Sequence, residues 1–297
     1  MSDTYSAIWV SHSSIEAFLA CPRAYFLRHL YKDPHTNRKI SLITPALALG
    51  QAVHEVIESL SKLPVEERFN RSLLQKLDDA WQKVTGRQGG FHSQSQEEHY
   101  LELGRQMLRR ADTHRGPLER KAVKIKTKPS LDLPYFWLSQ DEEIILCGKI
   151  DWLEYLPDDD SVKILDFKTG VKEQSPDSLQ LPIYYLLASH CQHRPVTGAS
   201  YWYLRHHNLP SEQQLPDLDQ ASSQVLAIAK RIKLARKLRK FDCPHGGCRH
   251  CDPYEAIMAG RATKVGISDI GHQLYALFEG SPDDKPEGSA EADSQIL

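Results

Sequence analysis

The sequence predicts an α/β fold, in which a small mixed β-sheet is flanked by helices, with a helical region at the N-terminus and a Cys-rich segment near the C-terminus. Three observations predict it. Apolar residues recur at helical spacing through the first ~110 residues. Between residues 122 and 167 the pattern changes to short segments rich in Ile, Leu, Val and aromatic residues. Three cysteines then fall within nine residues, at Cys243, Cys248 and Cys251.

Composition excludes several classes of protein. Of the 297 residues, 40% are hydrophobic and 26% are charged, as in an ordinary globular protein. No apolar run approaches the ~18 residues of a membrane span, and the first residues lack a basic stretch followed by an apolar one. Six cysteines are too few for a disulfide scaffold, so we expect a cytoplasmic protein that has no contact with a membrane.

Helical periodicity places six main helices. The first covers residues 12–31, with a cap at Ser11 or Ser13 and a kink or break at Pro22. The other predicted helices cover residues 45–60, 72–84, 97–110, 179–190 and 220–240. The predicted β-rich segments cover residues 122–128, 135–138, 143–156, 162–167 and 199–205. We expect one domain over residues 1–276, with a helical insertion at about 61–118, a Cys-rich segment at 241–260 and a disordered acidic tail at 277–297.

Two predicted strands bring charged residues together. Side chains alternate along a strand, so Asp166 and Lys168 project from the same face. A four-residue turn at 157–160 would pair Leu156 with Ser161 and set Asp151 opposite Asp166. Two carboxylates this close repel each other unless a cation lies between them, and oxygen ligands suit Mg²⁺ or Mn²⁺. With a lysine to align water or stabilise negative charge, the pattern predicts metal-assisted hydrolysis of a phosphodiester.

Five motifs in order give a family resemblance. They are Ser13-Ser-Ile-x3-Leu-x-Cys21-Pro, Gly50-Gln-Ala-Val-His54, Gly148-Lys-Ile-Asp151, Asp166-Phe-Lys168-Thr-Gly and Gln180-x3-Tyr184. Together they resemble the PD-(D/E)XK nuclease superfamily, and specifically its RecB-like branch, which includes the nuclease domains of bacterial helicase–nucleases and CRISPR-adaptation nucleases. From the residues alone, His54 is more often a core or surface histidine, and Gln180 with Tyr184 could be an ordinary helix contact.

The resemblance implies a restriction-endonuclease-like core and a DNA exonuclease or endonuclease that acts on single strands or ends in repair, recombination or CRISPR adaptation. It assigns catalytic roles to Asp151, Asp166, Lys168, Gln180 and Tyr184. It implies a Mg²⁺ or Mn²⁺ site formed by His54, Asp151, Asp166 and the Phe167 backbone carbonyl; Glu58 could support this site but stays outside the predicted set. The alternative is a catalytically silent DNA-binding subunit. A helicase or CRISPR integrase is an expected partner, since the chain has no Walker A motif.

The cysteine spacing predicts a second metal site. Cys243, Cys248 and Cys251 form C-x4-C-x2-C, and Cys21 is the candidate fourth ligand. The resemblance implies a [4Fe–4S] cluster, but the usual family spacing is C-x2-C-x5-C, with Ile257 standing here where the last cysteine would be. Zinc is the alternative, bound by four cysteines or by three together with His245 or His250.

A basic segment near the C-terminus is a candidate nucleic-acid surface, and a solvated helix face is the alternative interpretation. Its predicted DNA-binding residues are Lys230, Arg231, Lys233, Arg236 and Lys237. Tyr201, Trp202 and Tyr203 could offer a stacking surface for bases.

Overall fold

Eight α-helices and ten strands form the part of the chain that the computed structural model describes, residues 6–127 and 133–278. The helices are α1 (His12–Ala20), α2 (Pro22–Tyr25), α3 (Pro45–Leu60), α4 (Leu73–Trp81), α5 (Gln94–Thr113), α6 (Gln180–Cys191), α7 (Leu218–Leu238) and α8 (Asp252–Met258). The strands are β1 (Ile8–Val10), β2 (Ile40–Leu42), β3 (Tyr135–Ser139), β4 (Ile144–Cys147), β5 (Trp152–Leu156), β6 (Ser161–Lys168), β7 (Val196–Tyr203), β8 (Ser211–Gln213), β9 (Thr263–Ile267) and β10 (Gln273–Ala276). The predicted α/β class is confirmed, but the described strands form three small mixed sheets where one was predicted.

A four-stranded sheet in the order β5-β6-β7-β8 carries the candidate site. Strand β6 runs antiparallel to β5 and parallel to β7. The four-residue turn pairs Leu156 with Ser161, as predicted, and the register continues to Trp152 opposite Leu165. Asp151 therefore stands one residue before the start of β5, level with the end of β6 where Asp166 lies.

Helix α3 packs against the end of β6. Thr44 caps it by accepting a hydrogen bond from the Leu47 N–H at 3.3 Å, and Pro45 occupies its first turn. A Cβ on Gly50 would lie 3.3 Å from Thr169 Oγ1, so this glycine lets the helix approach the strand end closely. The buried stripe of the helix consists of Ala48, Leu49, Ala52, Val53, Val56, Ile57 and Leu60. His54 and Glu58 are only partly buried and contact residues at the sheet edge instead.

The largest hydrophobic core joins the helices to the central sheet. Helices α4 and α5 pack on α3, and apolar side chains from all three reach Trp152, Phe167 and Trp202 of the sheet. A second core lies between α1, α6 and α7 and the sheet β1-β4-β3. The segment predicted as an insertion at 61–118 thus shares its core with the sheet that carries the site.

Some predicted boundaries are wrong. Residues 143–156 form two strands in different sheets, β4 and β5, because residues 148–151 leave the strand conformation between them. Strand β10 pairs with both β2 and β9 in a sheet that the sequence did not predict, because these strands are short and weakly patterned. The break at Pro22 is confirmed: α1 ends at Ala20, and α2 begins after the extended Cys21 and leads into a π-helical turn.

The predicted strand at 122–128 is irregular. Ala122 forms an isolated bridge with Glu154, and the Val123 N–H donates to the Leu153 carbonyl at 2.8 Å, so the segment borders β5. Lys128 and the predicted acidic tail beyond residue 278 lie outside the described residues. Among the described helices, none combines the length and apolar character that crossing a bilayer requires.

Candidate metal-dependent active site

Asp166 and Lys168 share one face at the end of β6. The Asp166 side chain is buried, and its Oδ2 lies 2.7 Å from Lys168 Nζ. That contact is an ion pair without hydrogen-bond geometry, so Asp166 Oδ2 has no hydrogen-bond partner among the described residues. The Lys168 ammonium offsets part of the cost of burying this carboxylate, and Oδ2 keeps a lone pair that is available to a metal ion.

Gln180 links these two side chains. It is the first residue of α6, and its N–H donates to Ser178 Oγ at 3.2 Å. Its Nε2 donates to Asp166 Oδ1 at 3.0 Å and to the Tyr184 hydroxyl at 3.2 Å, while its Oε1 accepts a hydrogen bond from Lys168 Nζ. The i,i+4 spacing of Gln180 and Tyr184 therefore places both at the site, as the helix periodicity predicted.

His54, Glu58 and Asp151 form a second group beside the first. Each offers one ligand atom, and these atoms all lie within 4.8 Å of one another. His54 Nδ1 lies 3.3 Å from Asp151 Oδ2 and 4.0 Å from Glu58 Oε1. The Phe167 N–H donates to Asp151 Oδ2 at 3.2 Å, which ties this carboxylate to the same strand end as Asp166.

Glu58 is the residue that the sequence-based ligand set left out. Glu58 lies one turn after His54 and so on the same face of α3, and this spacing is the sequence signal that could have added it to the ligand set. It also forms an ion pair with Lys149, whose side chain is largely exposed. The pair holds the Glu58 carboxylate at the mouth of the site.

Burial perturbs the titration of the acids. Desolvation raises the pKa of Asp151 to about 6. Desolvation, followed by the charge of Asp151, raises the pKa of Asp166 to about 7. Burial lowers the pKa of His54, which keeps its imidazole neutral and able to bind a metal. Ionising both carboxylates so close together is therefore energetically unfavourable, and a divalent cation between them would remove that cost.

The donor set fits a hard divalent cation. It combines carboxylate oxygens from Glu58 and Asp151 with one imidazole from His54. The buried carboxylate of Asp166, whose titration responds to the charges of Asp151 and His54, lies beside this group. Oxygen-rich sets of this kind suit Mg²⁺ and Mn²⁺. The five residues predicted as catalytic and the predicted side-chain ligands all lie at this end of the sheet.

The four predicted cysteines also come together. Cys21, at the break between α1 and α2, lies with Cys243, Cys248 and Cys251, and their sulfur atoms are all within 4.8 Å of one another. The sulfur atoms of Cys248 and Cys251 are 3.6 Å apart. The Cys-rich segment therefore meets the N-terminal helices at a group of four thiols with the ligand types of a thiolate-bound metal site. Cys147 and Cys191 are partly buried elsewhere, and burial raises the pKa of each thiol to about 11.

The basic residues of α7 are largely engaged within the fold. Lys230 lies 2.9 Å from Glu142 Oε1, and Lys233 donates to the Glu142 backbone carbonyl at 2.6 Å. Arg236 hydrogen-bonds the Tyr25 hydroxyl, and Arg231 lies over the Phe18 ring with 5.9 Å between the guanidinium carbon and the ring centroid. Lys230, Arg231 and Lys237 are nevertheless exposed, and Lys237 makes none of these contacts.

The predicted stacking surface on β7 is wrong. Tyr201, Trp202 and Tyr203 are all buried, with at most 6% of any of them exposed. These three residues lie in β7, an inner strand that has neighbours on both sides. Trp202 packs into the largest core, and the Tyr201 ring centroid lies 5.2 Å from Lys168 Nζ.

Comparison with known proteins agrees with this geometry. No curated protein matches the chain at a significant level. A family model described as the PD-(D/E)XK nuclease superfamily matches residues 9–257, most of the chain. That span begins before α1, ends within α8, and contains both groups of site residues and all four clustered cysteines. The chain therefore belongs to the PD-(D/E)XK nuclease superfamily.

Proposed function

We propose that the protein is a Mg²⁺- or Mn²⁺-dependent DNA nuclease that hydrolyses phosphodiester bonds, acting as an exonuclease on single strands or DNA ends. The observation that carries the proposal is the connected group at the end of β6, where Gln180 bonds both Asp166 and Lys168. His54 and Asp151 complete a donor set for one cation beside it. Superfamily membership supports metal-dependent nuclease chemistry and a nucleic-acid substrate.

His54, Asp151, Asp166 and the Phe167 carbonyl would hold the ion, with Glu58 as a further ligand. A divalent ion bound there supplies Lewis acidity and neutralises charge that develops on the phosphate. Lys168 carries three N–H donors. With one donated to Gln180 and the Asp166 carboxylate beside its ammonium, a donor remains for the attacking water or a phosphate oxygen.

Tyr184 and Gln180 have different tasks in this proposal. Burial raises the pKa of the Tyr184 hydroxyl, so it stays protonated; because it accepts a bond from Gln180, its own proton is available to a phosphate oxygen. Both N–H donors of the Gln180 amide are already used, so Gln180 is a positioning residue that fixes Lys168 and Asp166.

The biological setting follows from the resemblance to RecB-like nucleases. A role in repair, recombination or CRISPR adaptation, with a helicase or a CRISPR integrase as partner, fits a nuclease that has no motor of its own. Action in the cytoplasm remains a prediction from composition.

The test is digestion of end-labelled single- and double-stranded DNA with Mg²⁺ or Mn²⁺, followed by sizing of the products. Asp166→Ala and Lys168→Ala are expected to abolish cleavage while the fold is retained. Lys163→Ala is the matched control, because Lys163 lies on the same strand but pairs with Glu212 away from the site. Wild-type cutting by both site variants would refute the site. Binding of DNA without cleavage by the wild type would favour the catalytically silent subunit.

The cysteine site calls for a metal of its own, which we propose joins the two ends of the nuclease domain. The resemblance implies a [4Fe–4S] cluster, bound by four thiolates. The short separations between the sulfur atoms favour the zinc alternative. Zn–S bonds of about 2.3 Å place the four sulfurs of a tetrahedral site about 3.8 Å apart. In a [4Fe–4S] cluster each thiolate binds a different iron atom, so the sulfurs lie farther apart. Brown, visibly absorbing protein from anaerobic purification would identify the cluster; colourless protein with one zinc per chain would identify zinc.

A further inference from the structure

A groove leads away from the metal-ligand group. A cavity of about 450 Å³ is lined by Glu58 and Asp151 and by four lysines, Lys62, Lys124, Lys126 and Lys149. A neighbouring cavity of about 410 Å³ shares Lys126, Thr127 and Pro134 with it and reaches Tyr135 and Trp137. The two cavities form one path from the site to β3.

Local structure explains why lysines line this path. The segment after Ala122 borders β5 in an extended conformation, so its side chains alternate. Val123 and Ile125 pack into a small core, which leaves Lys124 and Lys126 exposed on the opposite side.

The cations of the groove are available for a ligand. Lys62, Lys124 and Lys126 are exposed and have no ion-pair partner within residues 6–127 and 133–278. Lys149 is the exception, because it pairs with Glu58. On α7, by contrast, Lys230 and Lys233 are bound to Glu142.

The far end of the groove offers aromatic rings. Tyr135 and Trp137 alternate along β3 and share one face, while Phe136 between them packs into the second core. The Tyr135 ring lies 4.9 Å, centroid to centroid, from the ring of Trp9. Cations along a groove together with half-buried aromatic side chains are what proteins use to bind unpaired strands, with phosphates on the lysines and bases on the rings.

We propose that this groove binds one single strand of nucleic acid, which Lys62, Lys124 and Lys126 hold by its phosphates and Trp137 by a stacked base, on its way to the metal site. The proposal rests on the nuclease function proposed above and names the substrate path. The two cavities are each of the size that takes a small organic ligand, so they accommodate a few nucleotides of one strand and not a duplex.

The test measures binding of a fluorescein-labelled 20-nucleotide oligodeoxythymidine by the full chain in EDTA, which prevents hydrolysis. The groove variant is Lys62→Gln/Lys124→Gln/Lys126→Gln. The control is Lys32→Gln/Arg261→Gln/Lys264→Gln, which removes the same charge from exposed positions away from the groove. Thermal melts establish that each variant is folded.

The groove variant is expected to bind at least tenfold more weakly at 0.1 M salt, and the slope of log K against log [salt] should fall by about 2, since each phosphate contact with a single strand contributes about 0.7. The control should match the wild type. Trp137→Ala should lower affinity about tenfold without changing the slope, because stacking releases no counterions. A 20-base-pair duplex should bind more weakly than the single strand.

The two proposals fail in different ways. Unchanged affinity and slope in the groove variant, or equal binding of the duplex, would overturn the groove even if the wild type cleaves DNA. A loss of affinity confined to Lys230→Gln/Arg231→Gln/Lys237→Gln would also overturn it and place the strand on α7. Groove-dependent binding by a wild type that never cleaves would support the groove and overturn the nuclease function instead.

Discussion

Replacing Gln180 by alanine tests whether the network at the end of β6 positions the catalytic groups. The Gln180 side chain makes three hydrogen bonds, to Asp166, Tyr184 and Lys168. The side chain is buried at the first turn of α6, so water cannot readily replace its hydrogen bonds. Its removal should release Lys168 and Asp166 from their shared geometry.

The expected magnitudes follow from these contacts. Three buried hydrogen bonds at about 1 kcal/mol each give a loss of roughly 3 kcal/mol in the free energy of unfolding. For a domain of this size that lowers Tm by about 6–12 °C. Misplacement of reacting groups by about 1 Å costs on the order of 100-fold in rate, so kcat should fall by about that factor while KM changes little.

The assay compares kcat, KM and Tm of Gln180→Ala with those of Gln192→Ala. Gln192 follows α6 at its other end and also makes three side-chain hydrogen bonds, with Ala188 and with the backbone of Arg194. Its loss should therefore lower Tm by a similar amount without lowering kcat. If Gln180→Ala retains wild-type kcat, or loses no more activity than Gln192→Ala, the positioning role is refuted.

Three further predictions concern the fold. Cys21→Ser should destabilise the protein by about 5 kcal/mol or more in thermal melts, because it releases a link that closes most of the chain; an unchanged Tm would contradict a metal-bound thiol site. Arg68→Met should cost about 3 kcal/mol in urea unfolding, because the buried guanidinium donates to the Leu118 carbonyl at 2.7 Å and lies over the Trp152 ring; a cost under 1 kcal/mol would contradict this. Burial lowers the pKa of His29 to about 4, below its value of 6.5 in the unfolded chain, so the unfolded state binds the proton more readily and stability is lost as pH falls from 6.5 towards 4. Over this pH range the His29→Phe variant should lose up to about 3 kcal/mol less stability than the wild type. Equal acid sensitivity of the variant and the wild type would contradict the prediction.

Sequence patterns predicted the parts of the site that depend on local spacing. The four-residue turn fixed the register of β5 and β6, and alternation placed Asp166 and Lys168 on one face. Helical spacing placed Gln180 and Tyr184 together. Each of these inferences spans only a few residues, where backbone geometry alone determines which side chains are neighbours.

Contacts between distant segments were not predictable in the same way. The pairing of β2 with β10 joins residues more than 200 apart and has no local signal in three- and four-residue strands. The proximity of Glu58 to Asp151 depends on how α3 packs at the strand end, and the burial of Tyr201 depends on β7 being an inner strand. The groove along Lys124 and Lys126 likewise exists only because that segment borders β5.

Direct titration with Mn²⁺ tests the central claim that these side chains form one cation site. Electron paramagnetic resonance of the full chain should report one bound ion per chain. Affinity should fall at least tenfold in Asp151→Asn, whose carboxylate contacts both His54 and the Phe167 N–H, and stay unchanged in Lys163→Ala. A wild type that binds no Mn²⁺, or an Asp151→Asn variant that binds it as tightly as the wild type, would contradict the account.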